Sequence, residues 1–380
     1  MNCFTDAFQS THRAKWRRGL QTDWPLDNDE PTGPRYYPAH WIDVPIDHFH
    51  NDSSYEPHSN QSFAMRYWFS SGHYKPGGPV ILLQGGETAG EYRMPILRKG
   101  ILDIVAKAVG GLAVVVEHRY YGKSMPVADY STENMRFLST DQALADMAYF
   151  AQHVVYPGLE HIDLRAPQTP YIAFGPSYAG GLVAFLRKLY PDVFWGAVAS
   201  SGVTEAVYDY WEYFEAARRF GPPSCINATQ QLVRVVDGIL IGNADTGYGR
   251  QLKNAFGLGI LTDDRIFAET LAWLGIGSLQ EEHWDPVHNS PVFAEYCGNV
   301  SSSTLLHPGL SPIKSEVREL IAVSGYNGDV DALTNQMLNH IGHINQTFIR
   351  RCVNEGAKLE ECLSPFNPDY KPWTYQTCTE

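Results

Sequence analysis

The sequence predicts an α/β protein: a parallel sheet covered by helices on both faces, followed by a mainly helical region. Three observations carry this expectation. Short continuous apolar runs recur at PVILLQ (79–84), LAVVVE (112–117), YIAFG (171–175) and FWGAVASS (194–201), the pattern of strands buried on both faces. Segments of helical character lie between them, so successive strands are joined by the long crossovers that parallel pairing needs. After Gly202 the buried-strand runs stop, and the residues from 203 to 380 read as helix or loop.

In chain order, residues 1–38 are polar, proline-containing and without clear period, which reads as a loose leader. HWIDVPIDHF (40–49) alternates and FAMRYWFS (63–70) is aromatic, so both are strand-like. The turn-forming stretch SSGHYKPGG (70–78) leads into the first buried run, and one helix is expected near 93–109 before the second. TDQALADMAYFAQHVV (140–155) sets Leu144, Met147, Ala148, Ala151 and Val155 at helical spacing, with Thr140 and Asp141 marking its start. A further helix, from about 178 to 189, follows the third run. The expected domains are thus 39–202, α/β, and 203–380, helical, with no internal repeat and no low-complexity tract.

Charge narrows the function. With 29 Lys+Arg against 42 Asp+Glu the net charge is −13, whereas a general nucleic-acid binder needs a basic face to displace counterions. No run approaches the roughly 18 apolar residues of a membrane-spanning helix. Neither nucleic acid nor membrane is an expected partner, and no cofactor or metal is expected. Six cysteines (Cys3, Cys225, Cys297, Cys352, Cys362, Cys378) accompany five Asn-x-Ser/Thr sequons at Asn51, Asn60, Asn227, Asn299 and Asn345. Together these point to a secreted, disulfide-forming glycoprotein. Cys352 and Cys362 are close enough in sequence to bridge, although six cysteines allow 15 connectivities. The N-terminal residues contain no apolar signal core. Either the cysteines are reduced in a cytosolic protein, or the true N-terminus lies elsewhere.

The most informative string is Gly175-Pro176-Ser177-Tyr178-Ala179-Gly180-Gly181, set between the strand YIAFG and the helix YAGGLVAFLRKLY. That is the context of a nucleophile elbow, in which a serine stands on a tight strand-to-helix turn with small residues two positions to either side. A serine before a helix is more commonly a simple cap; the strand before it and the Gly-rich loop after an upstream parallel strand favour the nucleophile. The Tyr178 N–H, at the helix start, is the expected donor to an oxyanion. A second donor is expected from the loop after PVILLQ, at the Gly86 N–H. Glu87 beside it reads equally as a pocket residue or a solvated loop carboxylate. His118 and Arg119 follow a buried strand at its C-terminal end, with the arginine holding loops around the elbow.

The surrounding strings resemble the serine peptidase family of lysosomal Pro-Xaa carboxypeptidase and dipeptidyl peptidase II, and look most like its fungal secreted members. The matching segments are VPIDHF (44–49), MRYWF (65–69), YKPGGPVILLQGGE (74–87), VVVEHRYYGKSMP (114–126), LSTDQALADMAYF (138–150), GPSYAGGLVAF (175–185) and PDVFWGAVASSG (191–202). HIGHINQT (340–347) and WTYQTCTE (373–380) are similar to strings of the family's cap region. The resemblance implies an α/β-hydrolase domain with an inserted helical cap, Ser-Asp-His catalysis and cleavage after proline. It also implies an extracellular or vacuolar/lysosomal location, a peptide or protein substrate, and a chain compatible with a homodimer. Pro176 and Ala179 stand where the family often has glycine.

A catalytic serine needs a base, itself oriented by a carboxylate, and in this fold they follow in the order Ser, Asp, His. In the family these two residues come after the string that here ends at Glu380, so they and the last strands of the sheet are expected beyond it. The in-chain substitute would be Asp331 with His340 and His343. Nine residues from Asp331 to His340 are too few for a parallel crossover, and 332–351 reads as one amphipathic helix. His340 and His343 are then helix residues without the further ligands a metal site requires. The expected activity is a serine peptidase acting through Ser177. The alternative is an inactive fragment or binding protein that retains the hydrolase pocket.

Overall fold

A computed structural model describes residues 37–380 apart from 204, 208–209, 244–246, 283–288, 355, 357 and 364–370. Most of the expected leader, 1–36, therefore lies outside the described residues. The described residues divide into two compact units, one within 37–207 together with 371–380 and the other within 210–363.

The first unit is built on a sheet whose described strands are β1 (His40–Pro45), β2 (Ser62–Ser70), β3 (Val80–Gln84), β4 (Leu112–Val116), β5 (Tyr171–Pro176) and β6 (Phe194–Ser200). Their spatial order is β1-β2-β4-β3-β5-β6. The four expected runs form the parallel part, β4-β3-β5-β6, while β1 and β2 extend it antiparallel at one edge. The burial expected of the fourth run is corrected, since β6 stands last in the described strand order and exposes Trp195 and Val198. Strand periodicity sorts the side chains into two cores. Val80 and Leu82 of β3, with Leu112, Val114 and Val116 of β4, face Leu144, Met147, Leu182 and Val183. Ile81, Leu83, Ala113 and Val115 face the opposite way, against Met94, Leu97, Leu102 and Ala106. A sheet buried on both faces needs no polar alternation, which is why these strands read as unbroken apolar runs.

The helices depart from expectation at their ends. The stretch expected as one helix over 93–109 is two, α1 (Met94–Lys99) and α2 (Ile101–Val109), because Gly100 between them is extended at φ −94°, ψ −157°. In α3 (Thr140–His153) the N-cap is Ser139, not Thr140: the Ser139 side chain accepts from the Gln142 N–H, and Asp141 sits in the first turn, where a carboxylate suits the helix dipole. Val155 lies beyond the end of α3 and is exposed. Helix α4 (Tyr178–Leu189) follows β5 directly.

The second unit is helical: α5 (Pro223–Leu240), α6 (Tyr248–Ala255), α7 (Asp264–Leu274), α8 (Val292–Ser301), α9 (Lys314–Val323) and α10 (Val330–Ile344) are its longer helices. They bury a separate core that includes Leu232, Val235, Phe256, Phe267, Phe293, Leu320, Leu338 and Ile341. The single helix expected over 332–351 is α10 continued through a π-helical stretch, Asn345–Ile349, into Arg350–Asn354. Among the described residues of this unit two disulfides form, Cys225–Cys297 joining α5 to α8 and Cys352–Cys362. The second is the pairing that sequence proximity favoured; Cys3 lies outside the described residues.

The expected helical domain over 203–380 is corrected at its C-terminal end. Helix α11 (Lys371–Thr379) belongs to the α/β unit, where Tyr375 packs on the sheet core and Gln376 is buried. Its short polar sequence gave no sign of that.

Candidate active site

Ser177 occupies the turn between β5 and α4 with φ 59° and ψ −127°, a backbone conformation that non-glycine residues rarely adopt. The turn is held by its own backbone. Ser177 N–H donates to the Ser200 carbonyl at 2.9 Å, and the Ser177 carbonyl accepts from Gly180 N–H at 2.9 Å and Gly181 N–H at 3.2 Å. Small residues are needed for contact reasons: a Cβ on Gly175 would lie 2.1 Å from the Ala179 oxygen, and one on Gly180 2.8 Å from the Gly202 Cα. The Ser177 side chain makes no capping bond to α4 and is half-buried. Its hydroxyl is thus not used as the cap that a serine at this position ordinarily provides.

Tyr178 is the first residue of α4, so its N–H has no intrahelical acceptor. The expected second donor is corrected. Gly86 N–H donates to Gln84 Oε1 at 2.6 Å, so it is already engaged. The neighbouring Gly85 N–H is also engaged, with the Val116 carbonyl at 2.8 Å. Glu87 N–H has no hydrogen-bond acceptor among the described residues. The loop does run beside the elbow, since a Cβ on Gly86 would lie 3.6 Å from the Ala179 Cβ. Proximity to glycine was legible in sequence; which amide the loop leaves open was not.

The Glu117-His118-Arg119-Tyr120-Tyr121-Gly122 segment after β4 meets the elbow through His118, whose Nε2 lies 3.1 Å from the Tyr178 hydroxyl. Arg119 and Asp146, both fully buried, form a two-pronged ion pair with both contacts at 2.6 Å. Arg119 also donates to the carbonyls of Ile46 (3.0 Å) and Phe137 (2.8 Å), tying together the chain after β1, the segment before α3, and α3 itself. Burial opposes ionisation of Asp146, yet the Arg119 charge and hydrogen bonds from Arg119 and His48 hold its pKa below the usual carboxylate value. Glu117, also buried, pairs with Arg66 at 2.6 and 2.9 Å and accepts the N–H groups of Gly90, Lys123 and Ser124. The structural role expected of Arg119 is what its geometry serves.

His118 is fully buried and its pKa is pushed down to about 4, chiefly by desolvation. Its Nδ1 meets the Arg119 carbonyl at 2.7 Å and its Nε2 the Tyr178 hydroxyl at 3.1 Å. Both nitrogens are committed, and neither meets Ser177. Among the described residues no imidazole or carboxylate hydrogen-bonds the Ser177 hydroxyl.

The in-chain substitutes belong elsewhere. Asp331, on α10, pairs with Arg318. His340 and His343 are buried in the helical core, where His340 meets the rings of Phe256 and Tyr296 at 5.3 and 5.6 Å. Burial pushes the pKa of His340 to about 3 and that of His343 to about 4. Asp47, His50 and His58 place potential ligand atoms within 4.8 Å of one another. The Asp47 carboxylate there is already hydrogen-bonded by His58 Nδ1 at 2.7 Å and by Phe49 N–H and Gln142 Nε2–H, each at 2.9 Å. Among the sequons, Asn51, Asn60 and Asn227 are exposed. Asn299 instead donates from Nδ2 to the Glu295 carbonyl at 2.8 Å, and its Oδ1 meets His307 Nε2 at 2.7 Å. Asn345 is half-buried. No helix among the described residues is long and apolar enough to cross a membrane.

Similarity to known proteins agrees with this geometry. A probable extracellular serine carboxypeptidase of Arthroderma benhamiae is 46% identical over 354 residues, covering 90% of this chain and 49% of that protein. A putative serine protease, K12H4.7, of Caenorhabditis elegans is 34% identical over 88% of this chain and 61% of that protein. The thymus-specific serine protease of Homo sapiens is 33% identical over 47% of this chain and 32% of that protein. The chain spans about half the length of the curated relatives it matches first. The family model described as Serine carboxypeptidase S28 matches residues 45–255, across the sheet, the elbow and the start of the helical unit. With an α/β-hydrolase sheet and Ser177 on its elbow, the chain belongs to the serine carboxypeptidase S28 family.

Proposed function

We propose that this chain carries the nucleophilic half of a secreted serine peptidase. The observation that carries the reading is Ser177 at φ 59° on the β5–α4 turn, its hydroxyl unused as a cap and the next amide without an acceptor in its helix. In the reaction, Ser177 Oγ attacks the carbonyl carbon of a peptide and yields its proton to a histidine base. The carbonyl π pair moves to oxygen, and the N–H groups of Tyr178 and Glu87 receive that oxyanion. Collapse expels the amine, which takes the proton back, and water then releases the acyl group by the same steps in reverse.

The proposal assigns the histidine and its aspartate to chain beyond Glu380. Support comes from the committed nitrogens of His118, from the burial of His340 and His343 in the helical core, and from relatives about twice as long. Cleavage after proline rests on the family resemblance alone. Secretion is supported by the two disulfides and by the extracellular relative's name. N-glycans are placed at the exposed Asn51, Asn60 and Asn227, whereas the hydrogen bonds of Asn299 disfavour modification there.

A fluorophosphonate probe tests the nucleophile. Labelling that is lost in Ser177→Ala supports the reading, and labelling that survives the substitution rejects it. Absence of labelling in this chain, restored on extending the frame past Glu380, locates the base outside it. A full-length protein that never labels supports the inactive binding protein instead. Paired peptides differing only by proline or alanine before the scissile bond test the specificity.

A further inference from the structure

Gln376 lies 198 residues after Tyr178, yet its carboxamide sits between two tyrosines beside the nucleophile. Tyr121 O–H donates to Gln376 Oε1 at 2.5 Å, and Gln376 Nε2–H donates to Tyr178 Oη at 2.5 Å. The direction of the remaining bonds follows from their fixed end. The Arg119 carbonyl can only accept, so the proton of neutral His118 is on Nδ1 and its Nε2 must accept, from the Tyr178 hydroxyl. Three buried side chains, Tyr121, Gln376 and His118, and the half-buried Tyr178 thus form one directed row of hydrogen bonds. The Trp373 ring also meets the Tyr178 ring edge-on with centroids 5.3 Å apart, so α11 holds that tyrosine at two points.

Within this row Tyr178 is the residue whose backbone N–H follows the nucleophile. We infer that Gln376 is a positioning residue for acyl transfer: by fixing the Tyr178 hydroxyl it fixes the first turn of α4, and with it the Tyr178 N–H offered to the oxyanion. The inference rests on the reading of Ser177 as nucleophile. It gives α11 a part in the acylation step without contact with substrate. Sequence alone offered only a polar residue in a terminal helix.

The test separates the rate of acylation at saturating fluorophosphonate from the affinity for the probe, in the full-length protein. Gln376→Leu removes both hydrogen bonds, and an acylation rate about 10-fold lower with unchanged affinity is expected, the signature of an interaction made in the transition state. Gln376→Glu adds a test that packing alone would not pass. A protonated carboxyl offers one donor and one acceptor, as the amide does, whereas the carboxylate only accepts. The rate of Gln376→Glu relative to wild type therefore rises as pH falls through the titration of that carboxyl, while the ratio for Gln376→Leu stays flat. Wild-type acylation rates in both variants, or a ratio for Gln376→Glu that does not change with pH, overturn the inference.

Amide hydrogen exchange in the 380-residue chain gives a readout independent of catalysis. Peptides covering 175–182 exchange faster in Gln376→Leu while those in β3 and β4 are unchanged; unaltered exchange at 175–182 rejects the role. If no Ser177-dependent labelling occurs in any full-length form, the nucleophile reading fails. The exchange result then decides by itself whether Gln376 holds the turn.

Discussion

Replacing Arg119 by methionine probes the buried ion pair that ties the segment after β4 to α3. In the native protein the guanidinium and the Asp146 carboxylate are fully buried and doubly bonded at 2.6 Å. Arg119→Met keeps the aliphatic stem but strands a buried carboxylate and leaves the Ile46 and Phe137 carbonyls without this donor. Removing one partner of a buried ion pair costs about 3–5 kcal/mol, a large part of the roughly 5–15 kcal/mol that stabilises a domain. Arg119→Met/Asp146→Leu removes both charges, and about 2 kcal/mol or more of that loss is recovered, because most of the single-variant cost is an unpaired charge. Recovery is incomplete, since the carbonyls stay without this donor and His48 loses its acceptor. The two compact units need not unfold together, so the assay is native-state hydrogen exchange in β4 and α3, which reports opening of the α/β unit itself. A single variant within about 1 kcal/mol of wild type would refute the reasoning, as would a double variant no more stable than the single.

Further outcomes follow from the same structure. Gly175→Ala drives a Cβ to 2.1 Å from the Ala179 oxygen, so Ser177-dependent labelling is lost and the α/β unit is destabilised by more than about 2 kcal/mol, measured by urea denaturation. His340 and His343 have pKa values near 3 and 4 when folded, below the ordinary value of 6.5 from which both are lowered. The unfolded chain therefore binds more protons, and helical-unit stability falls as pH drops from about 6.5 towards 4, at up to about 1.4 kcal/mol per pH unit for each histidine. His340→Leu should flatten that acid limb in pH-dependent melts. Removing Cys225–Cys297, which closes 72 residues, should cost about 4 kcal/mol, against about 3 kcal/mol for Cys352–Cys362, which closes 10, as judged by denaturation of Cys→Ala pairs. Peptide mapping after enzymatic deglycosylation of secreted protein should find glycans at Asn51, Asn60 and Asn227 and none at Asn299.

Much of this protein was written in local sequence. All four apolar runs became parallel strands, and β3 and β4, buried on both faces, show why such a strand has no alternation to lose. The elbow was legible because its geometry excludes larger residues at Gly175 and Gly180, so steric demand is recorded directly as residue type. Tertiary structure decided what depends on which atoms meet. The Gly86 N–H proved to be spent on Gln84, two residues away, and a loop string cannot show which amide remains open. Arg119 found its partner 27 residues away on α3, where Asp146 looked like any polar helix position. Gln376 reached Tyr178 across 198 residues from a segment whose composition pointed to the helical region. Periodicity and steric exclusion act over a few residues and survive in the order of the chain. Hydrogen-bond partnership depends on distance and direction in space, and only the folded backbone supplies those.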